Sequence, residues 1–325
     1  MRAIASIHYP ISKRKNSHRA SWAFIWADLI KADVIHKNEP YSGYNEVFIY
    51  HGMEWSGSFN LFGGAKDVSE FQTFLDSNNK FTSLDIPMPD FGAIGKSRLN
   101  NCSEEWANFD WDALTAKCKS IDMVRMHDLH LNDLVVGDSH ANSVYQSGYA
   151  VDRHDGKTLH GALKVGLIDM VEPYAANNKL KNITFNFGNI DIRHHSLRQP
   201  DGSEEALMSY YEEELKSVED RYGSNIEVVA PIWIENESRK IPKSGWYDGA
   251  PFYGDWEDRD RMREFFSQRI EGMCIKNNWK FYQHSENFKN ALGELDFEYM
   301  EKPQSVHLSP LSYRENIFQQ HMQYK

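Results

Sequence analysis

The sequence has few cysteines and no long hydrophobic run. Its three cysteines, Cys102, Cys118 and Cys274, are far apart and form no C-x-x-C pair, which argues against a disulfide framework or a zinc finger. No stretch approaches the roughly 18 apolar residues of a membrane span, and the opening segment MRAIASIHYPISKRK lacks the order of charged and apolar residues of a signal peptide. We therefore expect free thiols, no membrane partner and a cytoplasmic location.

An excess of positive charge is also missing. The formal net charge of −11 disfavours a general nucleic-acid-binding surface. Neither phosphate-binding fingerprint of glycines is present, and no pair of histidines has a specific metal-ligand spacing. We expect a small-molecule or carbohydrate substrate, no cofactor and no metal, and the sequence leaves the oligomeric state open.

One local basic segment stands out against this acidic background. Lys13, Arg14, Lys15 and Arg19 lie between the first predicted strand and the first predicted helix. The carboxyl end of a strand beside a helix N-terminus is a usual place for a bound anion. The segment is therefore either an anion-binding loop or a run of solvated charges.

Strand-like and helix-like patterns alternate along the chain, which predicts an α/β fold. We expect a three-layer α/β/α arrangement with a mostly parallel, flavodoxin-like sheet, preceded by a smaller N-terminal α/β region. The predicted strands are RAIASIHYP, EVFIYHG, DMVRMHD, DLVVGD, KNITFNFG and IEVVAPIWI. The predicted helices are SWAFIWADLIKA, ALKVGLIDMVEPYA, ALMSYYEEELKSVEDRYG and residues 258–276.

A polar stretch with weak periodicity, residues 76–112, separates two parts of the chain. We place a domain boundary near residue 115. Residues 1–115 then form the N-terminal region, with a Rossmann-like arrangement as one interpretation, and residues 116–325 form the second domain.

The segment LVVGDSHANS, residues 134–143, runs from a buried strand into polar residues. Gly137 permits a sharp turn after the apolar residues. Asp138 or Ser139 could cap a following helix, or Ser139 could be a nucleophile whose neighbouring backbone N–H groups stabilise an oxyanion.

Two later segments also carry polar residues at the ends of elements. FGNIDIRHH places Asp191, Arg193 and His195 after the strand that ends at Phe187, where Asp191 and Arg193 could simply pair. In SVHLSPLSYREN, His307 precedes a Ser-Pro pair and is expected on a loop that enters a last helix. A serine nucleophile needs a base, and His307 is a suitable partner for Ser139.

Together these segments resemble the SGNH/GDSL hydrolase superfamily over about residues 120–325. They look closest to a GDSH-type branch, found in polysaccharide gene clusters and phage genomes, whose third block reads roughly G-E-I-D-x-R-x-H. This sequence reads GNIDIRHH at residues 188–195.

The resemblance implies Ser139 as nucleophile, His307 as general base, and the N–H groups of Ser139 and Gly161 as oxyanion donors. We group Asp191 with the catalytic residues. The expected binding or oxyanion-stabilising residues around them are Asp138, His140, Asn189, Arg193 and His195.

The sequence departs from the superfamily pattern at two positions. Gln304 occupies the place of the Asp that usually stands three residues before the histidine, and Asp296 is a distant candidate to replace it. Ile190 occupies the place of the oxyanion-hole Asn, with Asn189 one residue earlier.

These observations predict a serine esterase or O-acyl transferase that acts on a small ester, of a carbohydrate or of a modified nucleotide. The aromatic loop at residues 245–256 could stack on sugar faces or pack internally. One alternative is a nucleotide- or nucleotide-sugar-dependent, glycosyltransferase-like group transferase, for instance in phage nucleic-acid modification, with Asp191, Arg193 and His195 as its active cluster. The other is a catalytically degenerate binding protein.

Overall fold

A computed structural model describes residues 1–6, 18–36, 41–49, 73, 75–76, 80–85, 110–238, 253–301, 304–308 and 322–324. The chain divides into two compact units. The first comprises Met1–Arg14 and Trp22–Asp128, and the second comprises Lys15–Ser21 and Leu129–Lys325. None of the helices within the described ranges is long and apolar enough to span a membrane.

The first unit contains a parallel sheet with the strand order β2-β1-β3-β4-β5. Its core contains Ala3, Val47, Ile49 and Leu114, all fully buried. The strands are β1 (Arg2–Ser6), β2 (Asp33–His36), β3 (Glu46–Ile49), β4 (Lys80–Leu84) and β5 (Asp122–Val124). The helices described in this part are α1 (His18–Ile30), which belongs to this unit from Trp22 onward, and α2 (Trp111–Lys119).

The first unit extends further along the chain than residue 115, where the sequence predicts a boundary. β5 pairs with β4 in parallel, with Thr82 opposite Asp122. Because hydrogen bonds of the first sheet include residues up to Val124, the division between the units falls after Asp128.

The second unit contains five parallel strands in the order β7-β6-β8-β9-β10, with β11 antiparallel beside β10. The strands are β6 (Asp133–Gly137), β7 (Ala150–Arg153), β8 (Asn182–Asn186), β9 (Asn225–Val229), β10 (Lys280–His284) and β11 (Met322–Tyr324). The helices are α3 (Leu159–Val165), α4 (Leu167–Ala175), α5 (Asn189–His194), α6 (Ser203–Tyr222) and α7 (Trp256–Asn277).

These strands and helices follow from the distribution of apolar residues. β8 is buried along its whole length, as expected of a parallel strand that helices cover on both faces. α6 buries Met208, Tyr211, Leu215 and Val218, which recur at helical spacing. The predicted α/β fold with a mostly parallel sheet is confirmed.

Local details differ from the sequence-based prediction. The helix predicted for ALKVGLIDMVEPYA is divided at Gly166, whose φ of 99° is incompatible with a continuous helix, so that α3 and α4 are separate. The strands β2, β4, β7, β10 and β11 were not predicted, and FGNIDIRHH contains the short helix α5. The helix predicted after His307 lies outside the described residues.

Candidate active site

The site lies where the strand order of the second sheet reverses. β7 lies on one side of β6 and β8 lies on the other, so the chain moves in opposite directions from β6. In an open parallel sheet the connections on the two sides of such a point diverge, which leaves a crevice outside the carboxyl ends of the strands. Ser139 follows β6 and Asn189 follows β8, so both lie at this crevice.

Close packing against β8 shapes the turn before Ser139. A Cβ on Gly137 would lie 2.4 Å from the carbonyl oxygen of Asn186, so a larger residue would displace the backbone here. The N–H of Asp138 donates to the same carbonyl at 3.0 Å. Glycine is therefore required for the contact that places Ser139 at the end of the strand.

Asp138 fixes the turn from inside the protein. Its carboxyl group is fully buried and accepts hydrogen bonds from the His140 N–H at 2.8 Å and from Asn189 Nδ2 at 3.0 Å. Burial raises the pKa of Asp138 to about 7, although the two hydrogen bonds act in the opposite direction. Asp138 therefore links the turn after β6 to α5, and the element that follows Ser139 is a short 3₁₀ helix, Ala141–Val144.

The structure brings Ser139 and His307 together across 168 positions of sequence. His307 Nε2 lies 2.9 Å from Ser139 Oγ, within the reach that a base needs to accept the hydroxyl proton. Within the described part of the chain, no hydrogen-bond partner occupies the N–H of Ser139. That N–H is therefore available to an oxyanion formed at the serine.

A buried acid contacts the other nitrogen of the histidine. Glu301 Oε1 lies 3.4 Å from His307 Nδ1 and accepts a hydrogen bond from Ser305 Oγ at 2.7 Å. The Glu301 N–H donates to the His307 carbonyl at 2.8 Å, and Met300 and Leu308 form an antiparallel bridge. The chain therefore folds back between the acid and the histidine, which places their side chains next to each other.

The sequence pattern did not single out Glu301. Gln304 stands where the superfamily has its Asp, and it adopts a left-handed φ of 66° in the reversal between Glu301 and His307. The distant candidate, Asp296, instead accepts a hydrogen bond from the Glu298 N–H in a turn. The signal in the sequence was an acid six residues before the histidine, a spacing outside the family pattern.

A second histidine packs against the first. The ring centroids of His140 and His307 are 4.8 Å apart. Burial, followed by the charge of His307, holds the pKa of His140 well below its usual value of 6.5. His140 therefore stays neutral and adds no positive charge beside His307.

Ser139, His140 and His307 open into a cavity of about 310 Å³. Its volume accommodates a small organic group. The other lining residues are Arg153, Asp155, Gly156, Asn189, Ile190, Arg193, His194 and Val306.

The predicted oxyanion residues Gly161 and Asn189 have other contacts. The N–H of Gly161 donates to Thr158 Oγ1 at 2.9 Å and caps α3, so Gly161 is unavailable as an oxyanion donor here. Asn189 lines the cavity, but its Nδ2 donates to Asp138 and to Asn186. Gly156, which the sequence did not single out, lines the cavity instead of Gly161.

Asp191 lies apart from the Ser139–His307 pair and holds a helix end. Its carboxylate accepts hydrogen bonds from the N–H groups of Leu159 at 2.6 Å and His160 at 3.3 Å, in the first turn of α3. Asp191 and His195 line a separate cavity of about 680 Å³ beside α6. The contacts of Asp191 are therefore those of a helix cap, whereas Glu301 lies beside His307.

Arg193 is buried in an ion pair with Glu235, with 2.8 Å between Nε and Oε2, rather than with Asp191. Its Nη1 donates to the Asn189 carbonyl and its Nη2 to the Trp233 carbonyl. Every nitrogen of the guanidinium therefore has a partner, and Arg193 braces the backbone around Asn189.

The basic segment is largely outside the described residues. Lys13, Arg14 and Lys15 fall outside them, as does the side chain of Arg19, and so does most of the aromatic loop at residues 245–256. Within the described ranges, no group of three or more His, Cys, Asp or Glu residues is arranged to hold a metal ion.

Partial structural likenesses occur at low sequence identity. A provisionally assigned platelet activating factor from Streptococcus pneumonia is 14% identical with a TM-score of 0.42, and the match covers 78% of this chain and 99% of that one. A provisionally assigned acylhydrolase from Bacteroides fragilis is 13% identical with a TM-score of 0.41, and the match covers 57% and 84%. A GDSL-like lipase from Bacteroides thetaiotaomicron is 13% identical with a TM-score of 0.40, covering 57% and 85%.

No family model and no curated protein matches the sequence. Likenesses at this level carry no argument about activity, which depends on the residues of the site.

Proposed function

We propose that this protein is an SGNH-type serine hydrolase that cleaves small esters by way of an acyl-enzyme. The observation that carries the proposal is the chain of contacts from Ser139 through His307 to Glu301, at the mouth of a cavity. A nucleophile, a base and a group that orients the base are the three parts that serine catalysis requires.

In the proposed reaction, Ser139 Oγ attacks the ester carbonyl while its proton moves to His307 Nε2. Glu301 lies beside Nδ1 and stabilises the imidazolium that forms. The N–H of Ser139 and that of Gly156, which lines the cavity, are the proposed donors to the oxyanion. His307 then returns the proton to the leaving alkoxide, which departs as an alcohol.

The second half of the reaction releases the acyl group. His307 removes a proton from a water molecule as the water oxygen bonds to the acyl carbon. The bond from that carbon to Ser139 Oγ then breaks, and His307 returns the proton to Oγ, which regenerates Ser139 and releases a carboxylic acid. If the hydroxyl of a sugar or nucleotide replaces water, the same steps transfer the acyl group. The cavity of about 310 Å³ supports a short acyl chain in either case.

The other two interpretations have less support from the contacts. The group-transferase interpretation relied on a cluster of Asp191, Arg193 and His195, but Asp191 caps α3 and Arg193 pairs with Glu235. The binding-protein interpretation relied on a missing acid, and Glu301 provides one.

Labelling with a fluorophosphonate, followed by intact mass, tests the proposal. We expect one adduct on the wild-type chain, none on Ser139→Ala, and labelling that is at least a hundredfold slower on His307→Ala, because an activated serine is what the reagent requires. Ser209→Ala, an exposed serine on α6, is the matched control and should label like the wild type. Absence of an adduct on a folded wild-type chain would refute serine chemistry.

A further inference from the structure

Arg153, the last residue of β7, is a buried cation with two nitrogens that lack partners. Its side chain is 2% exposed, and Nη2 pairs with Asp155 Oδ1 at 2.5 Å. Within the described part of the chain, Nε and Nη1 are buried without a hydrogen-bond acceptor. Buried N–H groups are nearly always paired in folded proteins, so two on one guanidinium indicate a missing acceptor.

Arg153 lines the same cavity as the nucleophile. Arg153 lies opposite Gly137 in the parallel pairing of β7 with β6, and the His154 N–H donates to the Gly137 carbonyl at 2.8 Å. Ser139 follows Gly137 by two residues, and adjacent strands are about 4.8 Å apart. Both Arg153 and Ser139 line the cavity, so a group bound by Arg153 would lie within a few bonds of an ester at Ser139.

The other charged groups at the cavity do not satisfy Arg153. Arg193, the other arginine that lines it, has partners on all its nitrogens. His140 is neutral, and Asp155 is 48% exposed and occupies one nitrogen of Arg153. A further anion at Nε and Nη1 would complete the hydrogen bonds without displacing Asp155.

We propose that Arg153 binds an anionic oxygen group, a carboxylate or a phosphate, that the ester substrate carries close to the bond that is cleaved. The inference rests on the proposed function for the identity of that bond. A charge-assisted hydrogen bond to a buried guanidinium distinguishes an anionic ester from a neutral one of the same shape. Arg153 is therefore a specificity-determining residue.

A matched pair of esters tests this. The 4-nitrophenyl ester of succinate carries a free carboxylate, and its methyl ester does not. We expect the wild-type kcat/KM to favour the acid over the methyl ester at least tenfold, and Arg153→Gln to reduce this ratio at least tenfold. Arg153→Lys, which keeps the charge, should retain part of the preference. Arg261→Gln, at an exposed arginine of α7, is the control and should leave both rates unchanged.

A second variant should raise the preference for the acid instead of lowering it. It keeps the inference testable if Arg153→Gln folds poorly. Asp155→Asn removes a negative charge that offsets the charge of Arg153 and repels a second anion, so the preference for the acid should rise above the wild-type value. A wild-type enzyme that prefers the methyl ester, or a preference that neither variant changes, would overturn the inference while the proposed hydrolase activity stands.

If no ester is hydrolysed, titration calorimetry tests whether Arg153 binds an anion. Succinate and inorganic phosphate are titrated into Ser139→Ala, with and without Arg153→Gln. Binding that weakens at least tenfold without Arg153 supports the anion site even though the proposed function has failed, and the tighter of the two anions identifies the class of group. Absence of binding by both anions would then overturn the inference.

Discussion

In the proposed mechanism, the contact between His307 and Glu301 activates Ser139. An acid at Nδ1 selects the tautomer that accepts a proton at Nε2, and it stabilises the imidazolium that follows. The separation of 3.4 Å is long for a strong hydrogen bond, and catalytic contacts of this kind shorten in complexes with substrate. Ser305 Oγ holds the carboxylate in place from the other side.

Replacing Glu301 by Gln should lower kcat for ester hydrolysis by a factor of about 10² to 10⁴, as removal of the orienting acid does in serine hydrolases. Steady-state kinetics with 4-nitrophenyl acetate measure the loss. Asp296→Asn is the matched control, since Asp296 lies in a turn and contacts the Glu298 N–H. The assignment of Glu301 is wrong if Asp296→Asn loses the rate and Glu301→Gln keeps it.

Asp138 should make stability depend on pH. Its pKa is raised by burial from 3.8 to about 7, so between these values the folded protein holds a proton that the unfolded chain has released. The free energy of unfolding therefore falls as pH rises from about 4 to 7, by up to about 4 kcal/mol from this group.

Urea denaturation at pH 4, 5.5, 7 and 8 on the wild type and on Asp138→Asn checks this prediction. The amide does not titrate, so the wild type should lose stability relative to the variant as pH rises. The variant also loses hydrogen bonds, but that cost is the same at every pH. A constant difference between the two proteins would contradict the raised pKa.

Among the elements, α3 illustrates how a polar residue in a motif can have a structural role. Thr158 accepts the Gly161 N–H, and Asp191 accepts the N–H groups of Leu159 and His160. A negative charge at a helix N-terminus is favourable because the free N–H groups there carry partial positive charge. Gly161 and Asp191 are therefore engaged by the start of α3.

Asp191→Asn should destabilise the protein by about 1 to 2 kcal/mol, the usual cost of a lost cap and its charge. Urea denaturation measures this, with Asp220→Asn, an exposed acid near the end of α6, as the control that changes stability by less than about 0.5 kcal/mol. The fall in kcat should be smaller than for Glu301→Gln. A catalytic loss as large as that of Glu301→Gln, with unchanged stability, would make Asp191 the catalytic acid.

Glu301 and His307 lie just inside an antiparallel bridge between Met300 and Leu308, which belongs to an apolar cluster. Met300 and Leu308 are both fully buried beside Ile232, Phe288 and Leu295. Burial of these residues holds the positions of Glu301 and His307 relative to the sheet. The number of residues between the acid and the histidine is then free to vary. Here the acid stands six residues before the histidine instead of three.

At the scale of the whole molecule, both units use the same strand order. In each, the second strand lies on one side of the first, and the third to fifth follow on the other side. The sequence shows no internal repeat. A buried parallel strand requires only a run of apolar residues, so two sheets with the same strand order need not have similar sequences. The order of strands is a property of the folded sheets, and in each sheet the order reverses at the first strand.

In the second unit, the rate of amide hydrogen exchange of each strand should depend on its position in the sheet. β6, β8 and β9 have a strand on either side and are buried along most of their length, whereas β7 and β11 lie at the edges of the sheet. We expect amides of the three central strands to exchange slowest, because they open only with the whole core. Exchange measured by mass spectrometry on peptides of β8 and β7 checks this, and equal rates would contradict the strand order.

Sequence patterns were sufficient to predict the α/β class, the strands β6, β8 and β9, the helices α6 and α7, and the positions of Ser139 and His307 beyond the ends of elements. These features follow from local patterns, since apolar runs specify buried strands and helical spacing specifies one-sided helices. Gly137 was also identified from the sequence alone, because a turn must follow the apolar strand.

Which polar residues meet depends on tertiary packing. Glu301 reaches His307 because the chain reverses over a buried cluster, Arg193 pairs with Glu235 from a different segment, and Asp191 caps a helix that begins 32 residues earlier. Each of these contacts joins residues whose separation depends on how strands and loops pack. The boundary after Asp128 was decided in the same way, by the pairing of β5 with β4, which no local pattern encodes.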